Sequence, residues 1–254
     1  MLNLLRKVRR RLVVEKNVRQ YLLYAIGEIV LIVVGILLAL GISNWQEDLR
    51  KEKKEQFYLD GLRTEFELSR AKLQTLIEVN QLNYQEAEQL AGWIKANARP
   101  TELELSRKLT NAFSYELDYN PNSALLEELI NAGGLQDLRN VELRRHLTGW
   151  ESYIQSVRRQ EAGLRQLRER LIDHLRGEAY SIRTILEEAG DLRAGVDEPA
   201  VEPLVSNLPI LKSRAFENDL LLFLVTARNT ETEHYRPLLA EIDTILGLIG
   251  QGQE

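Results

Sequence analysis

Cysteine is absent from the 254-residue chain. That removes disulfides, thiol catalysis and cysteine-ligated zinc or iron–sulfur centres. Histidine is scarce: His146, His174 and His234 stand 28 and 60 positions apart, with no short-spaced partner of metal-ligand type, and read as ordinary surface or interhelical residues. Six prolines and fifteen glycines are too few for an all-β protein built on many tight turns. Also missing are the phosphate-cradling G-x-x-x-x-G-K and G-x-G-x-x-G loops, the G-x-S-x-G nucleophile turn and the H-E-x-x-H zinc helix. Adjacent acids such as Glu127-Glu128 and Glu187-Glu188 point about 100° apart on a helix and do not share a site unaided. The expectation is a protein with no catalytic residue, no cofactor and no metal, and hence not an enzyme.

Leu, Glu, Arg, Ala and Gln dominate the long stretches instead, so the fold class expected is all-α. Charge is divided unevenly. Residues 1–20 carry seven bases against Glu15 alone, whereas the chain without that segment and Glu28 sums to −10. Opposite signs in two regions point to two environments.

Between Arg19 and Glu47 the only ionisable carboxylate or base is Glu28. Tyr21 to Ile42 spans 22 residues, about 33 Å as a helix, enough for the hydrocarbon core of a bilayer. Ile29 to Ile42 is apolar all round rather than striped, unlike an ordinary core helix. Tyr21, Tyr24 and Trp45 stand near its two ends, where amphipathic aromatics favour the headgroup zone. The basic cluster precedes the run, and residues 46–60 mix five acids with four bases; the positive-inside bias then places the N-terminus in the cytoplasm and exports the remainder. The competing reading is a signal peptide cleaved near Ala39-Leu40-Gly41, for which the apolar run is long. Residues 1–20 read as a cytoplasmic basic segment, 21–44 as a transmembrane helix and 45–254 as an exported helical domain.

Glu28 lies about 10 Å inside the apolar run, where an ionised group costs roughly 2.5 to 3.5 kcal/mol on insertion scales. Gly35 and Ala39 fall within about 20° of it around the helix, and a small-xxx-small pair allows close helix approach. These three residues are the helix-packing candidates: the carboxylate is expected to turn toward a partner helix. Two other readings stand beside this one, a glutamate that merely tolerates its position and a proton-relay carboxylate like that of stator-type proteins, whose layout this chain resembles.

The stretch from Tyr21 through Ala25-Ile26-Gly27-Glu28-Ile29 to Leu40, with Asn44-Trp45 after it, resembles the N-terminal signature of an uncharacterised bacterial family of single-pass membrane proteins, known only as a domain of unknown function. The region Leu125 to Leu147, with Gly133-Gly134-Leu135 ahead of a helix, is also similar. The resemblance implies a bacterial envelope location and a helical exported domain, and it brings no catalytic residue.

Beyond Trp45 no proline occurs until Pro100. Positions 59, 62, 66, 69, 73, 76, 80, 83, 87, 90 and 94 follow 3–4 spacing and are apolar except Ser69, Asn80 and Asn83, which predicts a long, stalk-like helix with one packed face. The two asparagines are read either as register-fixing or as solvated. Thr101-Glu-Leu-Glu104 predicts a capping box, Ser123 to Ala132 a short helix stopped by Gly133-Gly134, and Asn140 the cap of a long helix. That helix carries the seam Leu143, Leu147, Trp150, Ile154, Val157, Glu161, Leu164, Arg168, Leu171 and Leu175. Its arginines 158, 159, 165, 168, 170 and 176 alternate with acids and predict a solvated, ion-paired face rather than a nucleic-acid surface. Residues 187–209 read as an acidic, proline-bearing loop. Leu220 to Val225 predicts a deeply packed helix, Pro237 a kink or a restart, and Tyr235, Leu238, Ile242, Ile245 and Ile249 a final stripe.

The function expected is a single-pass, bacterial inner-membrane protein whose periplasmic bundle, with coiled-coil-like seams, mediates assembly or partner binding. Its partners would be the lipid bilayer and a protein, or a second copy, reached through the transmembrane and long helices, without nucleic acid. The alternatives are a ligand-sensing bundle and a proton-coupled, stator-like subunit using Glu28.

Overall fold

The computed structural model describes residues 18–114, 118–191 and 205–251. Most of the basic N-terminal segment, and residues 192–204 of the expected loop, lie outside them. Every element among the described residues is helical. The chain divides into two units, Met1–Phe57 and Tyr58–Glu254.

Helix α1 (Val18–Ala96) belongs to both units by its bounds. From Leu22 onward α1 is long and apolar enough to cross a membrane, and none of its most apolar stretch, near the N-terminus, is buried. Leu31 is 76% exposed and Leu38 63%, the behaviour of a helix that is apolar on every side.

In the second unit α1 buries the predicted seam. Leu59, Leu62, Phe66, Ser69, Leu73, Leu76, Asn80, Asn83, Ala87 and Leu90 are all buried, and Ile94 packs half-buried at the end. The seam therefore lies inside the bundle from Leu59 onward. Helix α2 (Glu102–Phe113) starts on the predicted capping box: the Thr101 hydroxyl accepts the Glu104 N–H, and Glu104 returns a carboxylate to the Thr101 N–H. Helix α3 (Ala124–Asn131) ends on Gly133, whose φ of +68° is the left-handed conformation that glycine adopts without a Cβ penalty. Helix α4 (Val141–Leu175) is capped by the Asn140 side chain on the Leu143 N–H.

The expected loop is shorter than 187–209. Glu187 to Ala189 complete α5 (Ile182–Ala189), which ends on the left-handed Gly190, and Leu208-Pro209 begin a 3-10 turn, Leu208–Lys212, with proline in its first turn. The Thr184 hydroxyl donates to the Val205 carbonyl, and the buried Asn207 amide clips both backbone groups of Ser181, so the far side of the loop is tied to the start of α5. Composition alone does not reveal these ties.

Helix α6 (Arg214–Thr230) passes through a π turn (Glu231–Tyr235) into α7 (Arg236–Gln251). Where a kink or a restart is expected at Pro237, the helix runs on through this π turn: a proline ring collides with the carbonyl four residues back, and one widened turn relieves that without ending the helix. The run Leu220 to Val225 is packed on one side only. Leu220, Phe223 and Leu224 are buried, while Leu221, Leu222 and Val225 are half exposed.

Two apolar cores result. One gathers Leu62, Phe66 and Leu73 of α1, Trp150 and Ile154 of α4, and Leu238, Ile242 and Ile245 of α7; Phe66 and Trp150 meet edge to face at 4.9 Å. The other gathers Leu90, Leu105, Leu171, Phe216, Leu220 and Phe223.

Candidate functional site

Between the two cores each of the three long helices changes character at the same level. On α1 the first core ends at Ile77 and the second begins at Ala87, and Asn80 and Asn83 lie between. On α4 the gap between Val157 and Leu171 holds buried Glu161 and Arg168. On the C-terminal helix the gap between Ala227 and Tyr235 holds buried Thr230 and Glu231. The bundle is thus crossed by a polar layer.

Hydrogen bonds that run from helix to helix across the layer offset part of the cost of burying these groups. Asn80 Nδ2 donates to the Ala227 carbonyl at 2.9 Å, Gln81 Nε2 to Glu231 Oε1 at 2.8 Å, and Gln160 Nε2 to Thr230 Oγ1 at 3.1 Å. Glu231 also pairs with Arg236. At the centre Glu161 Oε1 accepts two hydrogen bonds of 3.0 Å, one from the Tyr119 N–H and one from the Tyr235 hydroxyl. A cavity of about 40 Å³ adjoins it, lined among others by Asn80, Asn83, Asp118, Glu161 and Tyr235. That is room for roughly two or three waters and too little for an organic ligand. Burial pushes the Glu161 carboxyl up from the usual carboxylate range; the two donated hydrogen bonds oppose the shift, Asp118 adds to it and Arg165 reduces it. Burial likewise raises the Tyr119 and Tyr235 phenols and lowers the Arg168 guanidinium.

The segment 118–123 is fastened to α1. Ser69 Oγ accepts the Asn122 N–H at 2.8 Å, the Tyr119 hydroxyl donates to the Ser69 carbonyl, and Lys72 reaches the Asn120 carbonyl. Glu65 accepts the Leu125 and Leu126 N–H groups at 2.7 and 3.2 Å, closing the first turn of α3, where Ser123 makes no side-chain cap.

Of the two readings of Asn80 and Asn83, burial removes the solvated one. Arg168, expected on a solvated face, is only 6% exposed. Glu161, one of the acids among the arginines of that face, turns inward, and Arg165 bonds Asp118. In each case a residue at a seam position follows the seam inward, whatever its polarity. The histidines are interhelical: His146 Nδ1 meets Glu241 at 2.7 Å and His174 Nε2 meets Asp219 at 2.8 Å. Among the described residues no group of three or more His, Cys, Asp or Glu is placed to hold a metal.

Glu28, Gly35 and Ala39 stand in the first unit, on the apolar part of α1. All three are exposed, and a Cβ added at Gly35 meets nothing within 4 Å.

Residues 28–157 match the model of a family of unknown function, DUF6090. The match runs from Glu28 through α2 and α3 into α4. No curated protein and no solved structure matches the chain.

Proposed function

The chain belongs to that family of unknown function, DUF6090, whose match covers just over half of it, and from there we propose that it is a non-enzymatic, single-pass protein of a bacterial inner membrane. Its basic N-terminal segment is cytoplasmic, and its bundle is periplasmic and serves assembly or partner binding. The observation that carries this reading is the stretch Ile29 to Ile42, apolar on all sides and exposed along its whole length. In water that surface would cost about 25 cal/mol per Å², and lipid removes the cost. The charge asymmetry of its flanks supports the orientation.

The stripe Glu28, Gly35, Ala39 supports a second copy, or another single helix, as the partner inside the membrane. Close approach at the two small residues would shield the carboxylate. Cysteine placed singly at Gly35 or Ala39 should give disulfide-linked dimers on oxidation of native membranes, whereas Leu37→Cys, about 200° around the helix from Gly35, should not. Equal crosslinking at all three positions, or none at any, would count against this face. Glu28→Gln tests the stator-like reading: loss of whatever proton-dependent activity the partner complex displays would favour it, and an unchanged complex would remove it.

A ligand-sensing bundle is the second reading. It is favoured by a cleft of about 420 Å³ between the end of α1 and the Leu208–Lys212 turn, lined by Trp93, Ile94, Leu208 and Leu211 and bordered by Arg99 and Lys212. A cleft of this volume suits a small organic molecule. Trp93 fluorescence that responds saturably to a panel of small periplasmic solutes would raise it above the assembly reading.

A further inference from the structure

Among the described residues, Glu161 is a buried carboxylate that faces a water-sized cavity and bonds across two different elements, and neither assembly nor membrane anchoring requires it. We propose that Glu161 is a proton-binding site and that, with Tyr119 and Tyr235, it forms an acid-closed latch holding α4, the 118–123 segment and the C-terminal helix together. Three geometric features converge there. The cavity of about 40 Å³ beside the carboxyl is large enough to hold water against it. The π turn Glu231–Tyr235 ends on the residue whose hydroxyl reaches Glu161, and such widened turns recur at functional positions. Both hydrogen bonds fall on a single oxygen, Oε1, so Oε2 is left to carry a proton without either bond being broken.

The groups that face Glu161 come from every side. Asp118 and the Tyr119 N–H come from the segment before α3, Asn80 and Asn83 from α1, Tyr235 from the π turn, and Arg165 and Arg168 from α4 itself. Asp118 repels an ionised Glu161 and Arg165 attracts it, but these two bond each other. Desolvation is therefore left as the leading influence on the carboxyl, and it favours the protonated form. The sign follows: an acid held above its unfolded value keeps its proton in the folded state at pH values where the unfolded chain has lost it. Folding stability thus falls as pH rises from the ordinary carboxylate range to the raised folded value, and the full penalty persists above that. The latch is tight in mild acid and strained at neutral and alkaline pH.

The test is thermal melting and peptide-level hydrogen exchange of the full-length protein in nanodiscs at pH 5 and pH 8, for wild type, Glu161→Gln and Tyr235→Phe. The amide introduced by Glu161→Gln accepts the same two hydrogen bonds without charge, so that variant should melt above wild type at pH 8, by a few degrees where about 1 kcal/mol is worth 2–4 °C. The difference should shrink toward pH 5, and exchange in peptides containing Tyr119 should be slower than in wild type at pH 8 only. Tyr235→Phe removes a donor that eases the ionised form, so its melting deficit should be larger at pH 8 than at pH 5. This second variant keeps the test decisive where the first does not fold. Differences from wild type that are equal at the two pH values, in either variant, would overturn the latch.

Discussion

Glu65 illustrates how a side chain on one helix completes another. Its two carboxylate oxygens take the first N–H groups of α3, groups that every helix leaves without an intrahelical partner. Glu65→Ala should therefore cost about 0.5–2 kcal/mol, read as a lowered melting temperature, and Glu65→Gln should recover part of it. A neutral result for Glu65→Ala would mean that water caps α3 equally well. The polar seam residues follow the same logic. The 3–4 spacing placed Ser69, Asn80, Asn83, Glu161 and Arg168 at seam positions, because periodicity reports which side of a helix packs, while polarity alone also allowed a solvated place for the asparagines and Arg168. What they meet was not legible, since the partners lie far along the chain: Asn122 is 53 residues from Ser69, and Ala227 is 147 from Asn80. Local patterns carry no record of such pairings.

Elements were best foreseen where one residue type has one local use. The Thr101 box, Asn140 as cap and Gly133 as stop all act within a turn of their own position, and all three occur as expected. Expectations missed where tertiary contacts decide. Leu220 to Val225 is continuous in composition, yet a helix surrounded on one side only buries every third or fourth residue. Phe223→Ala should accordingly cost about 3–5 kcal/mol, while Val225→Ser, on the half-exposed side, should stay within about 0.5 kcal/mol; denaturant melts of the two variants would show the contrast. Similar losses for both would mean that the outer face of α6 is covered. Gly61 marks a further packing constraint: a Cβ there would lie 2.2 Å from Leu125 Cδ2, so Gly61→Leu should displace α3 from α1 and expose Leu126 and Leu129. Increased proteolysis between residues 118 and 134 would register this displacement.

For the whole molecule, the all-α class was readable from composition and periodicity together. So was the presence of one long apolar helix, because a run with no polar face has few places to be stable. The polar layer between the two cores was not readable in advance, since it exists only when three helices are aligned at the same level. The central proposal is that α1 crosses a membrane once, with the basic segment inside and the bundle outside. The absence of native cysteine makes the chain a clean background for labelling. Single cysteines at Asn3, in the basic segment, and at Val141, which is 63% exposed at the start of α4, would be treated with a membrane-impermeant maleimide in intact spheroplasts and again after lysis. The account predicts that Val141→Cys reacts in both samples and Asn3→Cys only after lysis. Labelling of Asn3→Cys in intact spheroplasts, or protection of Val141→Cys until lysis, would contradict it.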